Sequence, residues 1–236
     1  MRKVFLFSLA SLFVLAVAAQ KKQSETIEGN GKSVTREVPV SSFDALKASG
    51  IYELKLSQGD KESVRIVADE NLQEYFTVKN EGSKLVIDME KMKNKNLKNK
   101  NSMKVYVTFK KLKEMELKMV GNVASEEQLS FGDLQLKNKS VGNVDLSMNV
   151  NNLELENKSV GNIKLSGKAQ DAVVKNDGVG NLVAGNFIVQ TMNIDHTGVG
   201  NAEVNAAKTL KVKDSFLGKV KNKGTAPVKK MNKVRV

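Results

Sequence analysis

Apolar and polar residues alternate along short stretches of the second half of the chain. Leu134 and Leu136 are separated by one polar residue, Leu153 and Leu155 are spaced in the same way, and similar pairs recur further on. Because successive side chains of a β-strand point to opposite faces, this two-residue period predicts short strands with one buried face. An α-helix would need a period of about 3.6 residues, which these stretches lack.

The same stretches belong to a sequence repeat. The hexapeptide Asn-Lys-Ser-Val-Gly-Asn occurs at residues 138–143 and again, unchanged, at residues 157–162. Aligning the chain on the glycine of this motif gives six near-copies, whose glycines are 18 to 21 residues apart. The repeated glycines are Gly121, Gly142, Gly161, Gly180, Gly200 and Gly218. The repeated asparagines are Asn138, Asn157 and Asn176 four residues before the glycine, and Asn122, Asn143, Asn162, Asn181 and Asn201 directly after it.

Near-copies of this length with a two-residue apolar period predict an all-β fold, a β-solenoid with about two short strands in each of its six coils. Coils of a β-solenoid stack about 4.8 Å apart, so equivalent residues form columns along the stack. We expect columns of Val, Ile and Leu to form the core and columns of asparagine to form hydrogen-bonded ladders. The glycine column marks a corner where φ is positive or where no Cβ fits.

Strand-like patterns also precede the repeats, with turn-forming residues between them. They span residues 51–57, 63–69, 75–80, 84–90 and 103–109. We expect residues 20–110 to form an antiparallel β region that caps the solenoid, because the end coil of a solenoid otherwise exposes strand edges. The solenoid is predicted over residues 111–222. Residues 223–236 break the period and are predicted to form a basic tail or a second cap.

The segment of residues 91–104 consists almost entirely of Lys and Asn. We interpret it as a mobile hairpin loop between two strands, which its charge keeps soluble. The alternative is a contact surface for a polyanion. The sequence favours the loop.

The first residues have the pattern of a signal peptide, predicted over residues 1–19. Arg2 and Lys3 precede an apolar run over residues 4–17, and Ala16-Val17-Ala18 fits the small-residue pattern before a cleavage site. A membrane anchor is the weaker interpretation, because a helix needs about 20 apolar residues to cross a bilayer. We therefore expect an exported protein of the periplasm, the cell surface or the medium, with no transmembrane segment after cleavage.

Composition limits the partners. The 236 residues include no cysteine, so neither disulfides nor thiol chemistry contribute. The net charge is +12 and comes mostly from lysine. Arginine is the usual residue for bidentate phosphate recognition, and no nucleic-acid motif is present, so nucleic acid is not expected as a partner. A solvated lysine surface that attracts anionic polymers weakly is the favoured interpretation.

Candidate chemistry is sparse. The acidic residues of the repeats lie in different registers, and no catalytic or metal-binding motif occurs. The single histidine, His196, occupies the column of Asn138, Asn157 and Asn176, where an imidazole can replace an amide. A lone histidine without clustered ligands does not form a metal site. We therefore predict no enzymatic activity, no metal and no cofactor.

The chain resembles the bacterial head GIN domain family of putative autotransporter adhesins, whose function is unknown. The residues that carry the resemblance are the opening stretch Gly29–Gly59, the strand in Gly82–Glu90 and the repeated Gly-Asn-apolar corners, and it covers essentially all of the chain after the signal peptide. The resemblance implies a right-handed, parallel β-helix-like fold in the periplasm or at the cell surface. It supplies no catalytic residues.

Three functions remain open from the sequence. The favoured one is a non-catalytic, adhesin-like binding module for a glycan, an anionic polymer or a protein surface. The second is a structural protein of the cell envelope without a specific ligand. The third, a carbohydrate-active enzyme, is disfavoured because tryptophan is absent and only three tyrosines occur. The oligomeric state is not determined by the sequence.

Overall fold

The structure is a computed structural model and describes residues 25–231. The predicted signal peptide at residues 1–19 and the last five residues of the predicted tail lie outside the described residues. Of the described residues, 66% are in strands and 4% in helix, which confirms the all-β prediction. The strands are β1 (Thr26–Glu28), β2 (Ser33–Val38), β3 (Ala45–Ile51), β4 (Glu53–Gln58), β5 (Ser63–Asp69), β6 (Thr77–Glu81), β7 (Lys84–Asp88), β8 (Asn96–Lys98), β9 (Lys104–Phe109), β10 (Glu114–Val120), β11 (Val123–Ser125), β12 (Leu129–Asn138), β13 (Val144–Asn157), β14 (Ile163–Asn176), β15 (Leu182–His196), β16 (Ala202–Asp214), β17 (Val220–Asn222) and β18 (Val228–Lys230). Two 3₁₀ turns span Glu70–Tyr75 and Glu90–Met92.

The repeats form a β-solenoid of about six stacked turns, as predicted. Strands β12 to β16 pair in parallel, each with the next, so that equivalent residues of successive coils lie side by side. One core column consists of Leu136, Leu155, Val174, Ile194 and Val212, all of which are buried. The alternation seen in the sequence is therefore the alternation between this core and the surface.

Most coils contain one long strand with a bend, whereas two short strands were expected. In β13 the bend lies at Asn151 and Asn152, two consecutive residues that both point outward. Parallel pairing continues on both sides of the bend, because Val150 pairs with Ala169 and Asn152 with Asp171. Two outward residues in succession thus turn the chain without ending the strand.

The N-terminal region is mixed rather than purely antiparallel. Strands β2, β5 and β9 form antiparallel pairs, as do β6 and β7. However, β3 pairs in parallel with both β7 and β10, and β4 with both β9 and β11. The coil of β3 and β4 is therefore stacked under the first predicted repeat, and the parallel stack begins before residue 111.

Two further segments differ from the expectations. The Lys-rich segment of residues 91–104 is not a plain loop, because it contains β8, which pairs in parallel with β1 through Ile27 and Leu97. Its first turn also buries Met92 in the core. At the other end, β18 pairs in parallel with β16, so the stack continues past residue 222 into the predicted tail.

Candidate binding site

The repeated glycines form one corner of the solenoid. Gly121, Gly142, Gly161, Gly180 and Gly200 have φ between +119° and +142°, a region that other residues rarely adopt. A Cβ on Gly142 would also lie 2.2 Å from the carbonyl oxygen of Gly121 in the coil below. Gly218 ends the column, where a Cβ would lie 2.2 Å from the oxygen of Gly200. A positive φ and the lack of room for a Cβ, the two reasons for glycine expected from the sequence, thus both apply at this corner.

The asparagines before the glycine form a buried side-chain ladder. Asn138 Nδ2 donates to Asn157 Oδ1 at 3.0 Å, and Asn157 Nδ2 donates to Asn176 Oδ1 at 2.6 Å. Asn176 Nδ2 then donates to His196 Nδ1 at 2.8 Å, which places the imidazole hydrogen on Nε2. His196 Nε2 donates to the oxygen of Gly200 at 2.8 Å. His196 therefore ends a satisfied hydrogen-bond chain inside the protein.

The asparagines after the glycine form a second, exposed ladder. Asn143 Oδ1 accepts a hydrogen bond from the backbone N–H of Asn162 at 3.0 Å, and Asn162 Oδ1 accepts one from Asn181 at 2.9 Å. The same contact joins Asn181 to Asn201 at 2.9 Å. Every repeat position named in the sequence therefore lies at the glycine corner or beside it, in contact with neighbouring coils.

A groove of about 920 Å³ lies elsewhere, at the bend of the first coils. Its walls come from the connection between β9 and β10 and from the bends of β12, β13 and β14. The lining residues are Gln58, Lys110, Lys111, Leu112, Lys113, Ser130, Phe131, Gly132, Asp133, Leu134, Gln135, Asn152, Leu153, Glu154, Asp171 and Val173. We call this site the bend groove.

The floor of the bend groove is apolar. Leu112, Leu134 and Leu153 are almost fully buried beneath it, whereas Val173 is 44% exposed. The ring of Phe131 stacks on Phe109 with a centroid distance of 5.7 Å and an interplanar angle of 17°. The floor is therefore packed onto the solenoid core, with the apolar side chain of Val173 exposed at one end.

Gln58 holds the two walls together. Its Nε2 donates to the backbone oxygens of Lys110 and Ser130, both at 3.0 Å. Its Oε1 accepts the backbone N–H of Ser130 at 2.8 Å. One side chain at the end of β4 thus fixes the connection before β10 against the first bend of β12.

The two rims of the bend groove carry opposite charges. Lys110 pairs with Glu62 at 3.8 Å and Lys113 pairs with Asp44 at 2.9 Å, whereas Lys111 has no carboxylate within ion-pair distance among residues 25–231. The hydrogen bond from Lys113 lowers the pKa of the Asp44 carboxyl, and the same bond raises the pKa of Lys113.

The acidic rim consists of Asp133, Glu154 and Asp171. Asp133 Oδ1 accepts a hydrogen bond from Asn152 Nδ2 at 2.6 Å, and Glu154 Oε2 accepts one from Gln135 Nε2 at 3.3 Å. In the described part of the chain none of these three carboxylates forms an ion pair. Their charge is thus available to a ligand.

The acidic side chains of the bend groove lie on successive coils. Between residues 25 and 231 no group of three His, Asp or Glu side chains is arranged to hold a metal ion. The acidic rim also alternates with Asn152, so its carboxylates are spread over successive coils instead of converging. This geometry is suited to contacts along an extended ligand.

Sequence reasoning did not identify the bend groove. A signal was present, because the two-residue period is interrupted at Gly132-Asp133, at Asn151-Asn152 and at Gln170-Asp171. These interruptions mark the bends that form one wall. The opposite wall lies before the first repeated glycine, Gly121, and its position could not be predicted from the period of the repeats.

Stacked parallel coils with a groove across the bends of β12, β13 and β14 define a β-solenoid with an open lateral surface. The chain belongs to the family described as "Putative auto-transporter adhesin, head GIN domain", whose model matches residues 42–226. The resemblance noted in the sequence is thereby confirmed. Among the described residues no helix has the length and hydropathy needed to cross a membrane.

Several solved structures are similar to this chain. A putative adhesin from Bacteroides fragilis NCTC 9343 is 28% identical, with a TM-score of 0.74 over 87% of this chain and 100% of its own. A putative adhesin from Parabacteroides distasonis ATCC 8503 is 21% identical, with a TM-score of 0.60 over 88% of this chain and 96% of its own. A putative lipid binding protein from the same organism is 20% identical, with a TM-score of 0.59 over 88% of this chain and 100% of its own. The last two structures show likeness of fold alone. A comparison with curated proteins found no match to this chain.

Proposed function

We propose that this protein is an exported, non-catalytic, adhesin-like binding module of the bacterial cell envelope. Its ligand is an extended segment of a partner protein, held in the bend groove. The observation that carries the proposal is the combination of an apolar floor with two oppositely charged rims, which together suit a peptide with apolar, basic and acidic side chains.

The charges of the groove favour a peptide over an anionic polymer. Asp133, Glu154 and Asp171 have no cationic partner within residues 25–231 and would repel a polyanion. A peptide would instead place a basic side chain at this rim and an acidic one at Lys111. The preference of the groove for a ligand therefore depends on its carboxylates as well as on its lysines.

The aromatic content disfavours a glycan. Sugars are commonly held on the faces of exposed aromatic rings, and the one aromatic residue of the groove, Phe131, is only 8% exposed. The same feature argues against a carbohydrate-active enzyme, as does the lack of converging carboxylates. A purely structural envelope protein would have no need for an open groove with unpaired charges.

The experiment is selection of a peptide display library on the mature chain, followed by affinity measurements with the selected peptides. The blocking variant is Gly132→Trp, because a Cβ at Gly132 meets no atom within 4 Å and the new ring would fill the groove without a backbone clash. The matched control is Ile188→Trp, which adds the same ring at an exposed aliphatic residue outside the groove.

We expect peptides with apolar and basic residues, whose binding is lost in Gly132→Trp and kept in Ile188→Trp. Equal binding by both variants would place the ligand elsewhere. Failure to select any peptide, together with glycan binding at physiological salt that Gly132→Trp abolishes, would show that the groove binds sugars. Either result would overturn the proposal.

A further inference from the structure

An exposed aliphatic column runs along the solenoid beside the glycine corner. It comprises the residue at the same position of seven consecutive coils, and parallel bridges join its valines from coil to coil. Its members and their exposed fractions are Ile51 (37%), Val120 (51%), Val141 (51%), Val160 (52%), Val179 (50%), Val199 (46%) and Leu217 (61%). We call this column the valine stripe.

The valine stripe is long and continuous. Six steps of about 4.8 Å give a length of about 29 Å from Ile51 to Leu217. Single exposed aliphatic residues are ordinary on protein surfaces, but a contiguous apolar patch marks an interaction surface. A partner that covers the stripe must therefore be apolar along a line of this length.

One end of the stripe carries a protruding aromatic ring. Phe216, next to Leu217, is 98% exposed. Its position in the repeat corresponds to that of Ser140 and Ser159, which are buried, and to that of Gly198, where a Cβ would lie 2.2 Å from a backbone oxygen. The interior at this position has no room for a phenylalanine. The chain therefore turns at Ser215 and directs the ring outward.

The other end of the stripe carries a pocket lined by both apolar and charged residues. This pocket has a volume of about 560 Å³ and lies where the first two coils meet the turn before β8. Its apolar lining residues are Ile51, Val86, Met89, Met92, Met119, Val120 and Val141, and its charged lining residues are Lys47, Asp88, Glu90, Lys93, Lys118 and Lys139. Methionine side chains adapt their shape readily and make favourable contacts with aromatic rings. The apolar part of the pocket is therefore suited to a phenyl ring.

The column of residues that borders the stripe changes its charge along the stack. It contains Lys118, Lys139 and Lys158 on the early coils, and Asp177 and Thr197 on the later ones. Lys118 and Lys158 pair with glutamates of their own coils, at 2.5 Å and 2.8 Å. Lys139 and Asp177 form no ion pair with any residue from 25 to 231. They lie two coils apart, on either side of Val160.

We propose that the valine stripe is the interface of a homodimer, in which two copies lie antiparallel, stripe against stripe. A two-fold axis through Val160, the central residue of the stripe, brings Val141 against Val179 of the second copy and Val120 against Val199 of the second copy. The same axis brings Ile51 against Leu217 of the second copy. Such an interface is self-complementary and closes after two copies.

Both ends of the stripe agree with this arrangement, as do Lys139 and Asp177 of its border. Lys158 lies on the coil of the axis and meets its own copy there, with its charge paired to Glu156. Phe216 of each copy lies over the pocket of the other, because the pocket and the ring are at opposite ends of one stripe. Lys139 of each copy faces Asp177 of the other, because the axis through Val160 exchanges their two coils. A parallel arrangement would leave each pocket opposite a pocket and each Phe216 opposite its copy.

The experiment is sedimentation velocity of the chain from residue 20 onward, from low micromolar concentration upward. We expect a dimer, and we expect Val160→Lys to raise its dissociation constant at least tenfold because two ammonium groups would meet at the axis. The control is Ile188→Lys, which places the same charge on an aliphatic residue of similar exposure, 48%, outside the stripe. Phe216→Ser should also weaken the dimer at least tenfold.

Charge reversal tests the orientation. Lys139→Glu and Asp177→Lys should each weaken the dimer, and the double variant should restore it, because the exchanged charges attract again. Circular dichroism of each variant establishes that the fold is intact. A monomeric wild-type chain at every concentration, including one that binds lipid vesicles instead, would overturn the proposal. So would open-ended assembly or a double variant without recovery.

This inference is independent of the bend groove. Gly132→Trp leaves the valine stripe untouched, and Val160→Lys leaves the groove untouched. Loss of peptide binding and loss of the dimer therefore report on different surfaces.

Discussion

The buried asparagine ladder should contribute strongly to stability, and Asn157→Ala is the sharpest test. Asn157 accepts hydrogen bonds from Asn138 Nδ2 at 3.0 Å and from Ser159 Oγ at 2.7 Å, and it donates to Asn176 Oδ1 at 2.6 Å. All four residues are at most 4% exposed. Removing the amide therefore leaves three polar groups without this partner in a site from which water is excluded.

The expected magnitude follows from these three bonds. A net contribution of about 1 kcal/mol for each bond, with an added penalty for the groups left unpaired, gives a loss of about 4 kcal/mol in the free energy of unfolding. That loss is a large part of the roughly 5 to 15 kcal/mol by which a typical domain is stable. The ladder is thus expected to be as important to stability as a core leucine.

The matched control is Asn162→Ala, five residues further along the same repeat. Asn162 is exposed and accepts one hydrogen bond, from the backbone N–H of Asn181 at 2.9 Å. Water can replace that acceptor, so we expect a loss of about 0.5 kcal/mol. Urea unfolding followed by circular dichroism measures the free energy of unfolding of both variants. Equal m-values, the slopes of that free energy against urea concentration, establish that the two losses can be compared directly. Equal losses, or a loss below about 1 kcal/mol for Asn157→Ala, would refute the reasoning.

Three further predictions concern the corner, the groove and its ion pair. Gly142→Ala should lower the free energy of unfolding by more than about 3 kcal/mol in a urea titration, because φ is positive at Gly142 and the new Cβ would lie 2.2 Å from a backbone oxygen. Gly132→Ala, whose Cβ meets no atom within 4 Å, should change it by less than about 0.5 kcal/mol. Similar losses in the two variants would contradict this prediction. Gln58→Ala should accelerate hydrogen exchange of the Ser130 amide about tenfold, since that amide loses its acceptor, and unchanged protection would show that the wall is held otherwise. Because the pKa of Asp44 is lowered, its contribution to stability should be complete above about pH 4 and lost as pH falls through the lowered pKa; because the pKa of Lys113 is raised, its contribution should be complete below about pH 10 and lost as pH rises further. Unfolding curves measured across pH should lose both dependences in Asp44→Asn. An unchanged pH profile would contradict the assignment of the ion pair.

The repeated coils could be predicted in detail because their corner leaves little choice of residue. Gly142 and its equivalents need both a positive φ and the absence of a Cβ, so the glycines recur and fix the alignment. Once they are aligned, the two-residue period identifies the core columns. The coil of β3 and β4 could not be predicted in this way, because it has Tyr52 at the position of the repeated glycine. The backbone oxygen of Tyr52 lies directly below Gly121.

The bend groove could not be predicted because its two walls are distant in sequence. Lys110 lies before the predicted solenoid and Asp171 lies in β14, and the contact that positions the walls runs through Gln58 of β4. The repeat period contains no information on where a preceding segment crosses the stack. Export was predicted from residues 1–19, which lie outside the described residues, and it stays a prediction.

The central claim is that the bend groove binds a peptide, and hydrogen exchange with and without a selected peptide tests it most directly. We predict slower exchange over residues 110–113 and 130–135 when the peptide is bound, with no change at the glycine corner around Val179. Protection at that corner, or no protection at the groove under saturating peptide, would contradict the account.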